Sequence, residues 1–168
     1  MLLFVCSFRG NTQERFFVAR NSIQLEGPSR TIYSLSYERI LSEGKKIAWS
    51  SKVGLGVKGG KPLRQGIYVD FGGITTRSKH HFEAGLQLAY FREKTPLPTP
   101  QFTTAKPFIP SISVNPRLGY RFQKLNSGWI FRANAVFDLV HSDYIEGRIK
   151  PQISVPIPWP LLAIGRSF

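Results

Sequence analysis

The chain has 168 residues, 42% hydrophobic and 13% aromatic, with 23 Lys plus Arg against 10 Asp plus Glu for a net charge of +13. That length sets one domain, the apolar fraction argues against disorder, and no run of about 18 apolar residues marks a transmembrane helix. A surplus of base usually points to a polyanion, yet no zinc-finger spacing, Gly-rich phosphate loop or basic helix accompanies it, so nucleic acid is not an expected partner. The single Cys6 leaves no intrachain disulfide and no multi-Cys metal site.

Residues 1–8 (MLLFVCSF) form a short apolar run ahead of the polar Arg9-Gly10-Asn11-Thr12-Gln13. This reads as the second half of a secretory signal, with an h-region but no basic n-region; an ordinary hydrophobic N-terminus is the alternative. Residues 1–18 are therefore expected to be a signal-peptide remnant and N-terminal segment, and residues 19–168 one β-barrel unit. Leu3-Phe4-Val5 make a poor lipoprotein cleavage box, so Cys6 is not read as lipidated.

From there the chain alternates, with 15 Gly and 12 Pro punctuating β-branched and aromatic runs. Residues 21–27 set Ile23 and Leu25 against Gln24 and Glu26. Residues 31–41 set Tyr33, Leu35 and Tyr37 against Ser34, Ser36 and Glu38, before a turn at 42–45 that holds Glu43 in an exposed position. Residues 46–57 put Trp49, Val53 and Leu55 opposite Ser50, Lys52 and Gly54, and residues 63–74 put Ile67, Val69 and Phe71 opposite Tyr68, Asp70 and Gly72. Residues 80–92 carry Leu86, Leu88 and Tyr90 against Glu83, Gly85 and Gln87, followed by a Pro- and Thr-rich loop over 93–110. Residues 111–122 carry Leu118 and Tyr120 against Arg117 and Arg121, where Pro116, which cannot donate to a ladder, predicts a bulge or a late strand start. Residues 129–139 set Trp129 and Phe131 against Arg132 and Asp138, a second long loop covers 140–157, and a last strand ends on Phe168. That makes eight strands, with short links at 42–45, 75–79 and 123–128 on one side and both long loops on the other.

Two barrels fit this alternation. A soluble, lipocalin-like carrier of a small apolar ligand would turn its apolar face inward; a membrane barrel would turn that face to lipid and its polar face to the lumen. The polar face favours the membrane barrel. It is small and Gly-rich, and its charges, Glu38, Lys52, Asp70, Glu83, Arg117, Arg121, Arg132 and Asp138, are four of each sign in a chain with more than two bases per acid. An enclosed lumen demands such a balance, because an unpaired buried charge costs several kcal/mol. These groups are expected to form one network, with Glu83 touching at least one of the three arginines. Eight strands enclose only enough room for side chains, so the lumen is read as plugged. Tyr33, Tyr37, Trp49, Tyr90, Tyr120, Trp129 and Trp159 fall mostly near segment ends and are expected to form membrane-interface girdles.

The last strand places Leu162, Ile164, Arg166 and Phe168 on one face and Leu161, Ala163, Gly165 and Ser167 on the other. It resembles the closing strand of Gram-negative outer-membrane β-barrels, which ends on Phe after alternating apolar residues. Arg166 departs from that pattern. Segments 21–26, 33–39 (YSLSYER), 119–123 (GYRFQ), 128–132 (GWIFR) and 158–168 are together similar to small, largely uncharacterised eight-stranded outer-membrane barrel proteins. The resemblance implies an all-β, eight-stranded antiparallel up-and-down transmembrane β-barrel in the outer membrane of a Gram-negative bacterium. It also implies recognition of Leu162, Ile164 and Phe168 by the barrel-assembly machinery, and contact with outer-membrane lipid. It implies no activity. The surplus of base at rims and loops suits lipopolysaccharide phosphates, and a structural, surface-binding or complex-subunit role follows.

Catalytic and metal readings are weaker. Lipid A-modifying barrels place Ser and His on one face of the rim, but His141 and Ser142 are adjacent and diverge on a strand. His80 and His81 diverge in the same way with no third ligand nearby in sequence, and both are read as an exposed turn. No cofactor, metal or catalytic residue is assigned; a lipid A-modifying enzyme remains the alternative from another class.

Overall fold

The computed structural model describes residues 17–29, 32–58, 64–76, 79–94, 108–124, 128–145, 148–153 and 157–168. The leader reading of residues 1–16, Cys6 included, lies outside the described residues.

Period-two alternation yields strands and, among the described residues, no helix. The strands are β1 (Asn21–Ser29), β2 (Ile32–Glu43), β3 (Ile47–Lys58), β4 (Arg64–Thr75), β5 (His80–Lys94), β6 (Phe108–Gln123), β7 (Gly128–Phe137), β8 (Val140–Ile145), β9 (Arg148–Ile153) and β10 (Pro158–Ser167). Eight of them close an antiparallel ring in the order β1-β2-β3-β4-β5-β6-β7-β10. The closing ladder runs from Ser22↔Ser167 to Gly27↔Leu162. It is extended by Phe168, whose N–H donates to the Asn21 carbonyl at 2.9 Å and whose carbonyl accepts from the Asn21 N–H at 3.2 Å. The fold is an all-β, closed, eight-stranded antiparallel barrel of the outer-membrane type.

The second long loop expected at 140–157 is instead largely a hairpin, β8–β9. Its cause is an open edge. β6 is 16 residues long, but β7 covers only Arg117 to Gln123 of it, and β8 takes over at Ile112, Ser113 and Val114. Ser142 fastens this junction, accepting from the Ile112 N–H at 3.0 Å and donating to the Ile112 carbonyl at 3.2 Å. The side chains of His141 and Asp143 lie outside the described residues.

Pro116 produces neither a bulge nor a late start. β6 runs through it in register, with Leu86↔Pro116 on the β5 side. Val114 accepts from the Leu139 N–H, so residues of its parity turn their backbone groups towards the β7–β8 edge. Pro116 shares that parity and falls in the gap between the β7 and β8 ladders, where no donor is required. The register shifts lie elsewhere, between Glu26 and Ser29 on β1 and between Ile40 and Ser42 on β2.

The two faces are inverted relative to a soluble barrel. Trp49, Val53, Leu55, Leu86, Leu88, Leu118, Phe131 and Ile164 point outward and are exposed, Leu55 by 63%. Arg117, Arg121, Glu38, Glu83 and Arg132 point inward and are buried, Arg121 with 1% exposure. Because the side-chain period is two, one ladder register fixes the facing of every residue along a strand.

At the short-turn end the lumen closes differently. Phe17 is fully buried and packs with the inward-facing Ile40, Ala48 and Ile74. Its N–H donates to Glu43 Oε2 at 3.1 Å, and the Arg20 carbonyl accepts from the Ile40 N–H at 2.8 Å. Phe17 thus packs against the inner wall of the barrel. Glu43 is not the freely exposed turn residue expected: its side chain is 6% exposed and pairs with Arg20 at 3.5 Å.

Candidate functional site: the lumenal charge network

The strands set eight ionic side chains inside the ring, four cations and four anions, and hydrogen bonds and one longer ion pair join them into one chain. At one end Lys52 Nζ donates to Glu26 Oε1 at 2.5 Å and stands 3.7 Å from Asp70 Oδ2. Asp70 receives a two-pronged contact from Arg117, Nε to Oδ2 at 2.5 Å and Nη2 to Oδ1 at 3.0 Å, the geometry that guanidinium and carboxylate planes favour. Arg117 Nη1 also donates to Glu83 Oε1 at 2.8 Å, and the same oxygen accepts from Arg132 Nε at 2.8 Å. Arg132 Nη1 continues to Gln24 Oε1 at 2.8 Å, and Gln24 Nε2 donates to Glu38 Oε2, again at 2.8 Å. Glu38 Oε2 accepts from Arg121 Nη1 at 2.7 Å, and Arg121 Nε ends the chain on Gln123 Oε1 at 2.7 Å. Hydroxyls add further donors: Ser50 donates to Glu38 Oε1 at 3.0 Å, Ser36 to Glu26 Oε1 at 3.1 Å and Tyr68 to Glu26 Oε2 at 2.6 Å.

This alternation explains how three arginines share one narrow lumen. Every guanidinium has a carboxylate between it and the next, and each carboxylate is held by at least two donors. An ion pair taken out of water is tolerable only when geometry and extra hydrogen bonds offset the desolvation cost, and here both are present. The surrounding small residues make the room. A Cβ at Gly54 would overlap the Tyr68 ring, and one at Gly85 would press within 3.2 Å of Arg117 Cζ.

The arrangement adds one residue to the expected set. Glu26 is an integral member, although it was placed only on the polar face of its strand; its pairing with Lys52 across the bulged β1–β2 register is not visible from sequence. Asp138 is buried on the same inward face, two residues beyond Val136, the register partner of Arg117. The residues joined above are four anions and four cations, so their charges cancel.

The aromatic set also divides. Tyr33, Tyr37, Trp49, Tyr90, Tyr120 and Trp129 are exposed on the outer wall. Trp49 stacks on Phe71 with ring centroids 5.4 Å apart and an interplanar angle of 8°. Trp159 does not belong with them. It shares the inward parity of Leu161 and Ala163 and is only half exposed, so it is not an outer-wall girdle residue. Leu162, Ile164 and Phe168 face outward, as does Arg166, whose register partner on β7 is Trp129.

The two histidines diverge in environment as well as direction. His80 is exposed, and its Nδ1 meets the Tyr120 hydroxyl. His81 is fully buried against the Phe17 ring at 5.1 Å, with Nδ1 at the Thr75 carbonyl and Nε2 3.3 Å from the Gln123 carbonyl. The exposed-turn reading therefore fails for His81, because the inward parity of β5 carries it under the N-terminal segment. Among the described residues no three His, Cys, Asp or Glu side chains converge as a metal site.

No protein-family model matches the chain, and no curated protein matches it. The crystal structure of the N-terminal β-barrel domain of Pseudomonas aeruginosa OprF does resemble it, with a TM-score of 0.51 and 13% identity, over 89% of this chain and 98% of that one. What this likeness shows is the fold: a closed, eight-stranded antiparallel barrel built like that outer-membrane domain.

Proposed function

We propose that the chain is a non-enzymatic integral outer-membrane barrel of a Gram-negative bacterium, with a plugged lumen and a structural, surface-binding or complex-subunit role. The observation that carries this reading is the inversion of polarity. A soluble barrel does not bury Arg117, Arg121, Arg132 and Lys52 while exposing Leu35, Leu55, Ile67, Leu86 and Leu118. On this reading the short-turn end is periplasmic and the long-loop end external. The outward Leu162, Ile164 and Phe168 would meet the barrel-assembly machinery, and basic rims would meet lipopolysaccharide and other anionic headgroups.

Fractionation tests the proposal. The protein is expected to stay with urea-washed membranes and to migrate faster on gels when unheated, because a folded barrel resists detergent unfolding. Release as a soluble species without detergent would refute it.

A further inference from the structure

Two arginines stand on the outer wall where β10 closes on β1, towards the short-turn end. Arg166 of β10 shares a row with Ile23 and Tyr37, and Arg39 of β2 lies in the next outward row towards the rim, beside Asn21. Both side chains are exposed, and among the described residues neither has a hydrogen-bond or ion-pair partner. Two strand steps and two residues separate their Cα atoms, about 12 Å, which two arginine side chains can span onto one phosphate. Between them the Tyr37 hydroxyl donates to Asn21 Oδ1 at 2.7 Å, which leaves the Asn21 amide nitrogen as a third donor. The row on the other side, Ile164, Leu25 and Leu35, is apolar and exposed.

We propose that this face holds a phospholipid with a net-negative headgroup, its phosphate between Arg39 and Arg166 and its acyl chains along Ile23, Leu25, Leu35 and Ile164. The site rests on the outer-membrane reading above. Charge selects the occupant. Among the residues whose side chains are described, Glu26, Glu38, Asp70, Glu83 and Asp138 are buried on the inward face, and Glu43 is held by Phe17 and Arg20. The described outer wall therefore offers no carboxylate to either arginine. A second copy of the chain, bearing the same wall, offers none either. A cation at the edge of the hydrocarbon draws its partner from the headgroup layer, and phosphate oxygens accept the paired contacts that a guanidinium makes. A zwitterionic headgroup carries its own cation and neutralises the pair less well.

The test uses the full chain refolded in detergent and equilibrated with phosphatidylglycerol and phosphatidylcholine of equal acyl length, with bound lipid read by native mass spectrometry. One basic residue near a membrane surface is worth about fivefold in binding, so the wild type should retain phosphatidylglycerol over phosphatidylcholine by about 25-fold. Arg39→Gln and Arg166→Gln should each lower that preference about fivefold, and the double variant should abolish it. Lys79→Gln removes an exposed cation from the β4–β5 turn across the barrel and should leave the preference unchanged. Inorganic phosphate at the same concentration should not displace the lipid. Equal retention in the wild type, a preference that survives the double variant or falls as far in Lys79→Gln, displacement by inorganic phosphate, or a lipid-free dimer joined through this wall would each overturn the site. Protease protection in vesicles, run on the same preparations, separates the two failures. An inserted barrel without lipid preference overturns the site alone, whereas a chain that does not insert overturns the membrane reading and the site with it.

Discussion

The middle of the lumen and its short-turn mouth are both fully buried, yet they are filled in opposite ways. The middle is packed with eight charges whose satisfaction depends on one another. The mouth is packed with Phe17, Ile40, Ala48 and Ile74, which depend only on shape. The difference shows what each region risks. Removing a partner in the middle leaves a buried charge unpaired, while removing a side chain at the mouth leaves a cavity that neighbours or water can partly fill.

Glu83→Ala should therefore have the largest effect. It takes the shared acceptor from both Arg117 and Arg132, and it should cost about 3–5 kcal/mol in a urea titration of the detergent-folded protein. Phe17→Ala should cost about 3 kcal/mol, the lower end for a buried aromatic, since the N-terminal segment can detach without disturbing the ring. A Phe17→Ala cost above that of Glu83→Ala would invert the comparison. Gly54→Ala forces the Tyr68 ring away from Glu26 and should cost about 1–3 kcal/mol as overpacking. Its signature would be a change in Tyr68 fluorescence or accessibility, with the short-turn mouth unaffected.

Glu43→Ala tests how firmly the mouth is held. The carboxylate accepts from the Phe17 N–H and pairs with Arg20, so its loss should cost about 1–2 kcal/mol, measured in the same titration. An unchanged midpoint would mean that Phe17 docks by packing alone. The smallest expected effect is on conductance. Planar-bilayer recordings of the wild type should show no stable channel, and Phe17→Ala should show none either, because the charge network fills the lumen without the apolar cap. Reproducible steps in Phe17→Ala but not in the wild type would assign closure to the mouth instead.

Much of the barrel was legible in the residues. The period-two segments located all eight ring strands, and the Gly- and Ser-rich polar face with balanced charge identified the interior. The hairpin β8–β9 was not legible, since its residues alternate poorly and are organised by the edge that β7 leaves uncovered on β6. Trp159 was readable in principle: counting in twos from Leu161 puts it inward, but its position near a strand end suggested a girdle.

The sequence by itself determined which face of each strand is apolar, because side-chain direction follows from strand geometry alone. It also determined that the interior must be close to neutral, because buried charge has to be paired. Only the tertiary structure decided who pairs with whom. Arg121 meets Glu38 across 83 residues of chain, and Arg132 meets Gln24 across 108. Those distances are closed by the β1–β10 seam and by the stagger of strands around the ring, and no local pattern records either. The same closure placed Phe17 over His81 and drew Glu26 into the network. These side chains are buried by neighbours that arrive from distant parts of the chain, so their roles exist only once the ring is shut.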